Sequence, residues 1–149
     1  MSPAPVVICL GEALVDRLGP YGVENPIAFK DTFDDCLGGA PANVACCLAR
    51  LGTPSAFYGR IGSDSYGAKF LSLFKERGLD TNLLQLDLVH PTRIVLVTRS
   101  SNGDRNFLDF HGDLGCGFAD QFLAPSPLPN AKWLLVGTVV LSSPVSRSA

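Results

Sequence analysis

The chain has no excess of charge: 12 basic residues face 14 acidic ones across 149 residues, a net of -2. A broad basic face is therefore absent, and neither nucleic acid nor an anionic membrane surface is an expected partner. Long hydrophobic runs are absent too. Val6 to Leu10 is far too short to cross a bilayer, and no basic stretch precedes it as in a secretory leader, so a soluble protein is expected. The five cysteines, Cys9, Cys36, Cys46, Cys47 and Cys116, are odd in number and show neither a C-x-x-C pair nor metal-ligand spacing. A reduced, cytoplasmic setting is the simplest reading, with most of them acting as small buried hydrophobes and no metal site. No internal repeat or low-complexity segment occurs. The length suits one domain with a core of its own.

What is present alternates between two periods. Val6-Val7-Ile8-Cys9-Leu10 is a continuous apolar run closed by Gly11, the pattern of a strand buried on both faces of a parallel sheet. Residues 14–33 are mixed, with turn signals at Gly19-Pro20, Gly22 and Asn25-Pro26, and a short strand is predicted at Ile27-Ala28-Phe29. Helices are predicted over Pro41–Arg50, closed by Gly52, and over Ser65–Arg77, closed by Gly78, with a strand at Ala56–Ile61 between them. This alternation predicts an α/β fold with a parallel sheet covered by helices. Thr92–Arg99 and Arg105–His111 flank an Asn102-Gly103 turn and break the pattern, so they read as a hairpin in an antiparallel flap at one edge. A short helix at Phe118–Leu123 and a buried strand at Trp133–Val136 follow. Ser142-Ser143-Pro144 then starts a helix only one turn from Ala149, which reads as a truncation; a frayed tail on a finished small domain is the alternative.

The candidate site starts at Gly38-Gly39-Ala40-Pro41-Ala42-Asn43. Gly38 and Gly39 let backbone amides approach a ligand at a helix start, without the spacing and lysine of a P-loop or a G-x-G-x-x-G. Asn43 offers a donor and an acceptor in the first turn, which suits a neutral polyol better than an anion. Asp16, shortly after the first strand, could accept two hydrogen bonds from neighbouring sugar hydroxyls, or could simply cap a turn. On the hairpin, Phe107, Asp109 and His111 alternate onto one face, either as a ring-packing and hydroxyl-sorting set or as a solvated flap. Asp64 reads as a helix cap, His90 as surface, and Gly112–Gly117 as an ordinary loop.

Gly38, Gly39, Asn43, Ala45, Gly52 and Gly62 make six matches over 25 residues to the first signature of the ribokinase/PfkB family of sugar kinases. The chain resembles that family over essentially its whole length. Gly11-Glu12-Ala13-Leu14-Val15-Asp16 and Gly39-Ala40-Pro41-Ala42-Asn43 resemble the fructokinase branch. The resemblance implies a Rossmann-like doubly wound sheet with a small antiparallel β lid, built from segments of about 14–36 and 92–111 within one unit, 1–149. It also implies that Asp16, Gly39 and Asn43 hold the sugar while the lid closes over it.

The family's second signature, of the type D-T-x-G-A-G-D, is absent. With it goes the aspartate base, so no catalytic residue is assigned. ATP and Mg2+ are expected of the full-length parent, not of this chain alone. The parent is read as an ATP-dependent kinase of fructose or a similar neutral sugar, and the 149-residue chain as inactive by itself. The alternative is a sugar-binding or dimerising module, pairing through the lid. A dinucleotide-dependent dehydrogenase would need a glycine fingerprint that Gly11-Glu12-Ala13 does not supply.

Overall fold

The computed structural model describes residues 4–23, 25, 32–111 and 115–149. In chain order the elements are β1 (Val7–Leu10), β2 (Leu14–Tyr21), β3 (Asp34–Gly38), α1 (Ala40–Arg50), β4 (Ser55–Gly62), α2 (Ser65–Glu76), β5 (Leu84–Asp87), β6 (Ile94–Arg99) and β7 (Arg105–His111). A 3-10 turn (Ala119–Phe122), β8 (Trp133–Val136), a second 3-10 turn (Val140–Ser142) and α3 (Pro144–Arg147) complete the chain. The strand predicted at Ile27–Phe29 and residues 112–114 of the glycine-rich loop lie outside the described residues.

Two four-stranded sheets result. The body sheet runs β5-β4-β1-β8, and its neighbouring strands are parallel. Apolar residues of β1 and β4 alternate between two covered faces. Cys9 and Phe57 face the cluster built on Ala45, Phe70 and Phe74, while Ile8, Ala56 and Tyr58 pack with Leu83 and Leu123 on the other side. Proline starts α1 without needing an N–H partner, and Pro41, Ala42 and Ala45 form its buried face. Asp64 starts α2, accepting the Gly67 N–H at 2.8 Å.

The second sheet runs β3-β2-β6-β7 and contains the expected antiparallel hairpin, β6–β7, outside the parallel body sheet. Its central pair, β2 and β6, is parallel, and antiparallel β3 and β7 flank it. Gly19 and Pro20, read above as a turn, lie inside β2. A register shift between Leu18 and Tyr21 absorbs them, as bulges absorb a residue that cannot donate to the ladder. β3 was not predicted because Asp34 and Asp35 disfavour strand. Tertiary partners offset that preference: Arg17 forks Asp35 with two 2.8 Å bonds, Tyr66 donates to Asp35, and Arg99 reaches Asp34.

Three smaller expectations also change. Only Cys9 is buried among the five thiols, while Cys36, Cys47 and Cys116 are exposed. The Ser143 hydroxyl, expected to cap α3, donates to the Gln121 carbonyl at 2.6 Å and makes no cap hydrogen bond to the helix. His90 is not a free surface group: it stacks on Phe122 and bonds Asp87 at 3.0 Å. Asp87 holds the turn after β5 together. Burial works to raise its carboxyl, but the His90 and Val89 amides, the His90 ring and Arg60 outweigh that and hold it well below the usual carboxylate range.

Candidate active-site half

The carboxyl ends of β1 and β8 meet the amino end of α1, at the edge where open α/β sheets bind ligands. Gly38 ends β3 and Gly39 turns into α1 at φ 98°, a backbone state that glycine adopts without strain. A Cβ on Gly39 would sit 2.5 Å from the Glu12 carbonyl oxygen, so a side chain fits there neither by dihedral nor by space. Asn43 is exposed in the first turn, and its N–H donates to the Gly39 carbonyl at 2.9 Å.

Asp16 lies in the middle of β2, not in a loop after the first strand, so the turn-capping alternative falls away. The β2–β3 register places it opposite Cys36. Its Oδ2 lies 2.6 Å from where a Gly38 Cβ would be, so the lid strand brings a carboxylate directly over the glycine pair. The side chain is half-buried. Burial pushes its carboxyl up, and the Arg105 guanidinium pulls the other way.

The expected trio on β7 does not share a face. Phe107 pairs with Val97 while Asp109 pairs with Leu96, and the register shift between those pairs inserts Leu108. One extra residue inverts the alternation. Phe107 therefore joins Phe110, Val95, Val97, Leu14, Leu18 and Asp16 on one face, and its ring meets Phe110 edge-on at 5.4 Å. Asp109 and His111 fall on the opposite face with Leu96 and Ile94.

Two buried charged residues were not singled out as site residues from the sequence. Arg93 is buried just before β6, forks Asp120 with two 2.7 Å bonds, and packs against both the Phe110 and Phe118 rings, which also contact each other. It thus ties the lid to the 3-10 turn of the body. Glu12 is buried between β1 and α1, a position readable in retrospect from a carboxylate set among small residues right after a strand. The described residues include no group of three or more His, Cys, Asp and Glu side chains placed to hold a metal ion.

The pfkB family carbohydrate kinase pattern matches residues 5–149. The chain is 38% identical over 142 residues to a fructokinase of Klebsiella pneumoniae, covering 93% of this chain and 42% of that enzyme. Among solved structures, fructokinase from Halothermothrix orenii superposes with a TM-score of 0.77 at 28% identity, over 95% of this chain and 49% of that one. A Vibrio cholerae fructokinase, in a form bound to fructose, ADP and calcium ion, superposes with a TM-score of 0.73 at 33% identity, over 99% of this chain and 45% of that one. The chain thus spans less than half the length of these relatives. Signature and two-sheet fold agree, and the chain belongs to the pfkB family of carbohydrate kinases.

Proposed function

We propose that this chain supplies the sugar-binding half and lid of an ATP-dependent kinase whose acceptor is a neutral sugar, fructose fitting best. The observation that carries this reading is the placement of the Asp16 carboxylate over Gly38 at the start of α1. A carboxylate accepts two adjacent hydroxyls at once, and Asn43 adds a donor and an acceptor. The neutral Asn43 amide suits a neutral polyol, and Phe107 on the face of Asp16 offers an apolar ring to a sugar. ATP with Mg2+ belongs to the whole kinase. The Vibrio cholerae relative, bound to fructose and ADP, is consistent with that pairing. In the complete enzyme the lid's part is to exclude water so that phosphoryl transfer outcompetes hydrolysis. A cytoplasmic setting is in keeping with five free thiols.

A second reading is favoured by β7, whose seven residues are all exposed and include Phe107, Leu108 and Phe110, on a strand that ends the sheet among the described residues. In it, the chain is inactive alone and pairs through the lid as a homodimer. Titration of the chain with D-fructose by NMR separates the two. The first reading expects shifts at Gly39 and Asn43, abolished by Asp16→Asn with the melting temperature unchanged. A fructose-silent spectrum beside a concentration-dependent dimer would favour the second.

A further inference from the structure

We infer that Glu12 is a positioning residue of the sugar loop: its side chain caps α1 from the neighbouring strand end and holds the Gly39–Asn43 turn in place. The role in sugar binding rests on the function proposed above; the cap itself does not.

The helix lacks a cap of its own. Its N-cap residue is Gly39, which has no side chain, and its first turn contains no acidic residue. First-turn amides of a helix need an acceptor, and the dipole there favours a negative group. Glu12 meets both needs from outside the helix. Its Oε1 accepts the Ala40 N–H at 3.3 Å, while the residue is only 5% exposed. Its Oε2 is buried and has no hydrogen-bond partner among the described residues. An unpaired buried carboxylate oxygen is expensive, so a group tolerated here has a role that outweighs its desolvation.

The surroundings are shaped for it. A Cβ on Gly137, directly after β8, would lie 2.8 Å from Oε2 and 2.4 Å from Pro41 Cγ. The glycine after β8 therefore leaves the space that Glu12 and the first turn of α1 occupy together. Arg93 beside the lid and Asp120 of the body's 3-10 turn are the charged groups acting on it, and they pair with each other. Burial pushes the Glu12 carboxyl up, its own and the Ala40 amide pull it down, Asp120 raises it and Arg93 lowers it. Its folded pKa thus lies above the unfolded value of about 4.3. Protonation strengthens on folding, and this group's contribution to stability declines as pH rises through the folded pKa.

The test is NMR on the 149-residue chain, wild type, Glu12→Gln and Glu12→Ala. The cap predicts that the Ala40 amide proton titrates in the wild type with a midpoint above the ordinary glutamate value, and that Glu12→Gln abolishes this titration. Glu12→Gln retains an acceptor, so Ala40 hydrogen exchange should stay within about twofold of wild type. Glu12→Ala should speed it by about fivefold, the usual scale for a lost helix cap, and weaken D-fructose binding to a similar extent. An Ala40 amide indifferent to Glu12→Ala, or equally exposed in both variants, overturns the proposal. If Glu12→Ala does not fold, the wild-type titration and its loss in Glu12→Gln still decide. A titrating Ala40 amide with no fructose response supports the cap and counts against the sugar reading instead.

Discussion

β4 and β8 lie in one parallel sheet, each an apolar run ending at a glycine, and β1 alone separates them. Their fates differ. In β4, Ala56, Phe57 and Ile61 have no exposure at all, since β1 and β5 flank the strand and side chains cover both faces. In β8, Trp133 is 70% exposed and Leu134 52%, and only Leu135 packs against the main core. The same apolar signature thus gives a core strand where neighbours exist and a bare edge where the described residues provide none. Burial belongs to the neighbourhood of a strand, not to its composition. An apolar open edge is also the feature that folded proteins usually blunt with charge or cover with further chain.

The contrast is sharpest in stability. Phe57→Ala should lower the unfolding free energy by about 3–5 kcal/mol, through lost transfer energy and the cavity left beside Phe74. Trp133→Ala should stay within about 0.5 kcal/mol of wild type, as exposed positions do. Urea denaturation of both variants measures the difference, and equal losses would break the comparison.

At the next level, Asp64→Ala should cost about 1–2 kcal/mol. Its carboxylate caps α2 and also accepts the Thr92 N–H at 2.7 Å and the Thr92 hydroxyl at 2.9 Å, so loosening of the lid entry should accompany the loss. Hydrogen exchange at the Thr92 and Gly67 amides would show both effects, and protection unchanged at Thr92 would leave Asp64 a helix cap alone.

Acid provides a third comparison. The Asp87 carboxyl is lowered on folding, so its stabilisation is complete above the ordinary aspartate range, about 3.9, and fades as pH falls toward its folded value. Asp87→Asn should flatten the acid limb of the stability profile. An acid limb as steep as in wild type would assign that limb to other carboxylates, Asp35 first, which Arg17 also lowers. The smallest change in stability is expected from Trp133→Lys, whose effect should appear as reduced aggregation in light scattering. Unaltered aggregation would move the sticky surface from β8 to β7.

The body of the fold was legible because its signals are local. Val6–Leu10 announced a strand buried on two faces, Pro41 and Gly52 bracketed α1, and Asp64 marked the start of α2. The β6–β7 hairpin was legible as well, from its Asn102-Gly103 turn, but the rest of the second sheet was not. β3 contains two aspartates that disfavour strand until Arg17, Tyr66 and Arg99 meet them, and β2 contains a Gly-Pro pair that a register shift must absorb. On β7, strict alternation put Phe107, Asp109 and His111 together, and one inserted residue, Leu108, separated them. No local pattern announces a bulge whose position is set by the partner strand.

The sequence by itself determined the family and the helix that opens on Gly39, because glycine and proline chemistry acts within a few residues. Only the tertiary structure decided that Asp16 stands over Gly38, that Phe107 joins its face, and that Glu12 caps α1 beside Gly137. Each of those pairings joins residues from separate strands or helices, and their approach is fixed by register and packing that no stretch of chain encodes alone.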